Sequence, residues 1–194
     1  MPGLSPVYFL THAPHGPKLR LMIVCEAQFG TVGIIIGQLE VYMPIKSGIP
    51  APGFELPDET GTLRRLSDFH GKPVVLYFYP KDDTPGCTTE ACNFRDDYSA
   101  YEKAGVTLLG VSPDSVKSHV KFKEKYGLPF PLLADEGHRV CELYGVWALK
   151  KMMGREYMGV LRTTFLIDAN GQIVRVFEKV KPAEHSAELL AVLG

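Results

Sequence analysis

The sequence predicts an α/β fold, a central mixed sheet flanked by helices, and three observations carry that expectation. The apolar run Pro73-Val74-Val75-Leu76-Tyr77-Phe78-Tyr79 and a second run over residues 106–111 are separated by one helix-length segment, the pattern of a β-α-β unit with parallel strands. Asn170-Gly171 stands between two strand-like runs and favours a tight hairpin, hence antiparallel neighbours. The chain then closes on an amphipathic stretch over residues 183–193.

Taken in order, residues 54–58 and 59–63 read as short strands around Gly61, and residues 66–69 as a brief docking segment. Residues 74–79 are continuously apolar and of strand length, which suits a sheet covered on both faces. A helix opens near Cys87 and continues through Phe94, Tyr98 and Tyr101, spaced by four and three, until Gly105 stops it. Residues 106–111 form the second buried strand. Ser112-Pro113 supplies an N-cap and a first-turn proline for a helix that ends at Gly127. After the apolar residues 130–134 comes a short helical stretch over 140–144. Residues 162–168 make a strand, the Asn170-Gly171 turn leads into residues 172–177, and the final helix follows. This order is the thioredoxin-like arrangement. Fold alone does not give function.

A chain of 194 residues can bury a core without a disulfide or metal staple. Hydrophobic content of 45%, charged content of 22% and a net charge of -1 describe an ordinary globular protein and exclude a nucleic-acid binder or a disordered chain. Of four cysteines, two cluster at a strand-to-helix junction, which fits catalytic thiols in a reducing compartment, the cytoplasm, better than a secreted disulfide framework.

Residues 1–45 are expected to be an N-terminal extension, weakly structured or not part of the native start, ahead of a domain over residues 46–194. The extension carries Pro2, Pro6, Pro14 and Pro17 and ends in the run Gly33-Ile34-Ile35-Ile36-Gly37. Lys18 and Arg20 precede Leu21-Met22-Ile23-Val24-Cys25 as in a signal peptide, but Glu26 and Gln28 break the apolar region and no small-x-small cleavage site follows. Residues 21–37 fall short of the roughly 20 residues of a membrane span and include a carboxylate. Met43 is an alternative start of translation.

The chemistry points to Cys87 and Cys92. Cys87 lies just after a Pro/Gly turn, Pro80-Lys81-Asp82-Asp83-Thr84-Pro85-Gly86, in the first turn of a helix. There, unsatisfied backbone N–H groups and the positive end of the helix dipole stabilise a thiolate, the reactive form of cysteine. Thr84 offers a hydroxyl from three residues earlier, and Arg162, opening a strand, is the best placed cation. The bland reading of Cys87, a buried small hydrophobe, fits poorly with so polar a setting. On an intact helix, residues five apart are separated by about 7.5 Å of rise and point about 140° apart. That separation exceeds the reach of a disulfide, about 7 Å between Cα atoms, so a Cys87–Cys92 bond requires the first turns to unwind. Spacing alone leaves Cys92 open between a packing residue and a redox partner. Zinc is poorly supported, because Cys25, Cys87, Cys92 and Cys141 lack knuckle spacings. Cys141 reads as core, and Glu90 and Arg95 as helix-surface charges, with a secondary active-site role open for Arg95.

The pattern Pro80-x-x-x-Thr84-x-x-Cys87 resembles the active-site motif of the peroxiredoxins. Cys92, the opening Ala51-Pro52-Gly53-Phe54-Glu55-Leu56-Pro57 and the segment Arg162-Thr163-Thr164-Phe165 are similar to the Q-type subfamily, also called bacterioferritin comigratory protein. The match covers residues 46–194; residues 1–42 have no counterpart, and Gly53 stands where the family often has an acidic residue. The resemblance implies that Cys87 is a peroxidatic thiolate attacking hydrogen peroxide or organic hydroperoxides, with Thr84 and Arg162 polarising the peroxide and Pro80 shaping the pocket. It implies that Cys92 resolves the sulfenic acid and that thioredoxin, ahead of glutaredoxin, reduces the disulfide. Neither metal, haem nor other cofactor is implied, nor a nucleic-acid or membrane partner, and a monomer or weak homodimer is expected. Two other readings compete: a dithiol oxidoreductase, disfavoured by the cysteine spacing, and a non-enzymatic thioredoxin-fold binding or chaperone module, disfavoured by Thr84 and Cys87 at the helix start.

Overall fold

The structure, a computed structural model, describes residues 6–12, 18–25, 34–42, 45–152 and 154–193. The chain divides into two compact units, Met1–Ile45 and Lys46–Gly194. In the first, β1 (Pro6–His12), β2 (Lys18–Cys25) and β3 (Ile34–Tyr42) pair antiparallel in that order. The apolar, β-branched content of β2 and β3 is what a ladder accepts.

The second unit opens with β4 (Glu55–Pro57) antiparallel to β5 (Leu63–Arg65). The intervening turn winds around Asp58, whose carboxylate accepts from the backbone N–H groups of Thr60 and Thr62 and from Arg64 Nε. A short 3-10 turn, Leu66–Phe69, leads to β6 (Val74–Phe78), buried at every position. Next come α1 (Pro85–Asp96), α2 (Tyr98–Lys103), β7 (Thr107–Ser112), α3 (Val116–Tyr126), β8 (Leu132–Ala134) and α4 (Arg139–Leu143). A hairpin of β9 (Trp147–Met152) and β10 (Arg155–Val160) follows, then β11 (Thr163–Ile167), β12 (Ile173–Glu178) and α5 (His185–Leu193). The five-stranded sheet has the order β12-β11-β6-β7-β8, with β6, β7 and β8 parallel and β11 and β12 antiparallel to their neighbours. This is the mixed sheet the sequence predicts.

Three elements differ from expectation. The helix after Cys87 breaks at Asp97, whose carboxylate accepts from Ser186 Oγ at 2.6 Å, so that α2 sets off anew. The N-cap of α3 is Ser115, which accepts from the Ser118 N–H, while Ser112 ends β7. The β9–β10 hairpin was not expected, because Trp147-Ala148-Leu149-Lys150-Lys151-Met152 lacks a clean alternation of apolar and polar residues.

Aromatic side chains fill the core between α1 and the sheet: Tyr77, Phe94 and Phe130 meet with ring centroids 4.8 to 6.4 Å apart. Tyr77 lies over Gly110, where an added Cβ would stand 2.7 Å from the tyrosine hydroxyl. The packing therefore needs a residue without a side chain at that point of β7.

Candidate active site

The sheet directs three arms of the chain to one place. Strand β6 ends at Phe78, and after Tyr79 half-buried Pro80 turns the chain out of the sheet. Thr84 then takes an extended conformation at the helix N-cap, with φ -92° and ψ 150°, and Pro85, which needs no N–H partner, begins α1. Cys87 follows within the first turn and is 2% exposed. In the neighbouring strand, Thr163 pairs with Phe78, so Arg162 emerges beside the point where the chain leaves β6.

Arg162 joins the sulfur to a carboxylate. Its Nη2 donates to Cys87 Sγ at 3.2 Å, and its Nη1 donates to Glu90 Oε2. Glu90 lies one turn after Cys87 on the same face of α1 and is 1% exposed. Its Oε1 has no hydrogen-bond partner among the described residues. Burial pushes the Glu90 carboxyl up to about 7, with the attraction of Arg162 working against that rise. Burial also opposes the charge on Arg162, but Glu90 and Cys87 outweigh it and hold the guanidinium above its ordinary value.

The Thr84 hydroxyl donates to the Lys81 carbonyl at 3.0 Å, which leaves its lone pairs available. No hydrogen bond joins Thr84 to Cys87 among the described residues. Cys92 is half-buried further along α1, and both Cys87 and Cys92 are free thiols. Since α1 is continuous from Pro85 to Asp96, the two sulfurs sit on an intact helix.

Glu90 is therefore a buried partner of Arg162 and not the surface charge the sequence suggests. The available signal was its spacing of three from Cys87, which puts both on one helical face. Arg95 lies away from the sulfur, donating to the Tyr126 carbonyl at the end of α3 and to Asp96. Cys141 is fully buried, and burial pushes its thiol far above the ordinary range. Among the described residues, no group of three or more His, Cys, Asp or Glu side chains is arranged to hold a metal ion.

The model of the AhpC/TSA family matches residues 47–176. The chain belongs to that family. Among its relatives are Peroxiredoxin Bcp of Bacillus subtilis, 52% identical over 78% of this chain and 96% of that protein, and Peroxiredoxin Bcp of Escherichia coli K12, 49% identical over 73% and 91%. A solved structure of Xanthomonas campestris bacterioferritin comigratory protein, described for its alkyl peroxide reduction, is 43% identical and superposes with a TM-score of 0.69 over 72% of this chain and 89% of that one. As a peroxiredoxin of the Bcp/Q type, the chain is a peroxide-reducing oxidoreductase on a thioredoxin fold, and its chemistry calls for a thiol reductant. No helix among the described residues is long and apolar enough to cross a membrane.

Proposed function

We propose that this peroxiredoxin reduces hydrogen peroxide and alkyl hydroperoxides by a two-cysteine cycle in which Cys87 is the attacking thiolate. The observation that carries the reading is the 3.2 Å contact from Arg162 Nη2 to the buried Cys87 Sγ in the first turn of α1. A guanidinium and the positive end of a helix together stabilise negative charge on sulfur. Attack of Sγ on one peroxide oxygen breaks the O–O bond, leaves a sulfenic acid and releases water or an alcohol once a proton joins the departing oxygen. Arg162 holds the charge that develops there, as an oxyanion hole does. Thr84, its own proton committed to Lys81, accepts a hydrogen bond from the peroxide O–H. Pro80 walls the pocket where the chain leaves β6.

Cys92 then condenses with the sulfenic acid, expelling water, after the start of α1 unwinds. Thioredoxin returns both thiols by disulfide exchange, with glutaredoxin as the second choice. The cycle belongs to residues 46–194, working as a monomer or weak homodimer in the reducing cytoplasm, with residues 1–45 as an extension outside it.

The test is NADPH consumption with thioredoxin reductase, thioredoxin and either hydrogen peroxide or an alkyl hydroperoxide. Peroxide-dependent turnover should vanish in Cys87→Ser and collapse in Cys92→Ser. Turnover surviving without Cys92 would transfer the resolving step to Cys141 or an external thiol, and turnover surviving without Cys87 would overturn the reading.

A further inference from the structure

A second set of polar groups, outside the Cys87–Arg162 contact, holds the loop that delivers Thr84. Asp82 is 6% exposed, and its carboxylate accepts from Tyr79 Oη at 2.7 Å, Ser118 Oγ at 2.7 Å and His119 Nδ1 at 2.9 Å. The other ring nitrogen of His119, fully buried, has no partner among the described residues. Leaving a buried polar atom unpaired is costly, so the Asp82–His119 contact is held at the expense of that nitrogen. One residue on, Asp83 has a φ of 54°, and its carboxylate accepts from Lys125 Nζ and Tyr126 Oη at the far end of α3. Helix α3 thus grips the loop from its first turn and from its last.

The decisive element is a single peptide plane. The N–H of Asp82 donates to Asp114 Oδ2 at 2.8 Å, and Asp114 is itself fixed by Ser112 Oγ, which donates to the same oxygen at 2.8 Å. The carbonyl on the other side of that peptide, Lys81 O, accepts the Thr84 hydroxyl proton at 3.0 Å. Because the peptide unit is rigid and planar, fixing its N–H fixes the direction of its C=O. The orientation of the Thr84 hydroxyl is therefore set from the Asp114 side of the loop.

We propose that Asp114, with the Asp82 clamp behind it, is a positioning residue for peroxide. It locks the Lys81–Asp82 peptide so that the Thr84 proton is spent on Lys81 and the Thr84 lone pairs face the incoming O–H. The inference rests on the reading of Cys87 and Thr84 given above. It separates two reactions of the same sulfur, since attack on a peroxide uses the oriented hydroxyl whereas alkylation of Cys87 by iodoacetamide does not.

The experiment compares wild type, Asp114→Ala, Asp114→Asn and Thr84→Val for the second-order rate of Cys87 oxidation by hydrogen peroxide and for its alkylation rate, both followed by intact mass. Asp114 is only half-buried, so the variants avoid cutting into the core. Loss of one oriented hydrogen bond predicts that Asp114→Ala oxidises about tenfold more slowly, approaching Thr84→Val. Asp114→Asn keeps an acceptor oxygen and should remain within about threefold of wild type, and alkylation should stay unchanged within about twofold in both variants. Oxidation of Asp114→Ala at the wild-type rate overturns the proposal. So does a parallel loss of oxidation and alkylation, which would mark a merely structural residue. A wild-type protein whose Cys87 does not react with peroxide at all would instead sink the peroxidatic reading on which the inference stands.

Discussion

The side-chain amide of Asn93 donates to the carbonyl oxygen of Pro182 at 3.2 Å, tying the residue after Cys92 to the turn that leads into α5. A second bond reaches the Ala183 carbonyl at 3.1 Å. These bonds oppose the unwinding that a Cys87–Cys92 disulfide requires. With each bond worth about 1 kcal/mol net, Asn93→Ala, which loses both, should form the disulfide up to about 30-fold faster after one equivalent of peroxide and accumulate less sulfinic acid at high peroxide. Cys92→Ser should do the opposite, turning over poorly and over-oxidising faster. Quenched intact-mass time courses give both quantities, and an Asn93→Ala time course that overlays wild type would remove the latch from the account.

Arg162 reaches Cys87 and Glu90 with two nitrogens of one planar fork, a geometry that an ammonium group cannot copy. Arg162→Ala should lower the rate of Cys87 oxidation by about 10²-fold, and Arg162→Lys should recover little of it. Stopped-flow oxidation under single-turnover conditions measures the loss. A lysine variant that restores the rate would show that point charge, not the fork, is what counts.

The Glu90 carboxyl, raised by burial from 4.5 to about 7, makes stability depend on pH. Between those values the folded protein holds a proton that the unfolded chain has released, so the contribution is present in full below 4.5 and is lost as pH rises through 7. Wild type should lose on the order of 3 kcal/mol relative to Glu90→Gln between the two ends of that range. Urea unfolding of both proteins at pH 5 and pH 8 tests this, and parallel pH dependences would refute it.

Gly110→Ala would place a Cβ 2.7 Å from Tyr77 Oη and 2.9 Å from Leu132 Cδ2, both in fully buried side chains. Overpacking of this kind costs about 1–3 kcal/mol, and the site lies in the sheet layer beneath α1. Chemical denaturation should show the loss, with the denaturant dependence of unfolding unchanged.

Much of this was legible in the chain. The apolar run of β6, the turn into α1 and Arg162 ahead of β11 follow from local patterns, and these bring Cys87 and Arg162 together. What local pattern does not show is pairing across distance. Glu90 reads as a surface charge until β11 delivers its guanidinium, and Asp82 meets His119 only because β7 carries the chain back and α3 then lies against the loop. Ser112 looked like a helix cap because Pro113 follows it, but its hydroxyl is engaged with Asp114 and Ser115 takes the capping position. The break at Asp97 has the same origin, since its partner Ser186 lies 89 residues away.

Glu90 and Cys87 belong to the same turns of α1, whereas Arg162 belongs to the sheet. In the proposed cycle Cys87 gives up its negative charge on becoming a sulfenic acid, and the unwinding of α1 that lets the cysteines meet then draws Glu90 away, so that Arg162 loses both partners in succession. A guanidinium with 15% of its side chain exposed is then left without a counter-charge, a condition that proteins resist. On the two-cysteine cycle proposed above, the disulfide form would thus carry a restoring force of electrostatic origin, and its cleavage would let the helix snap back onto a sheet that has been waiting for it.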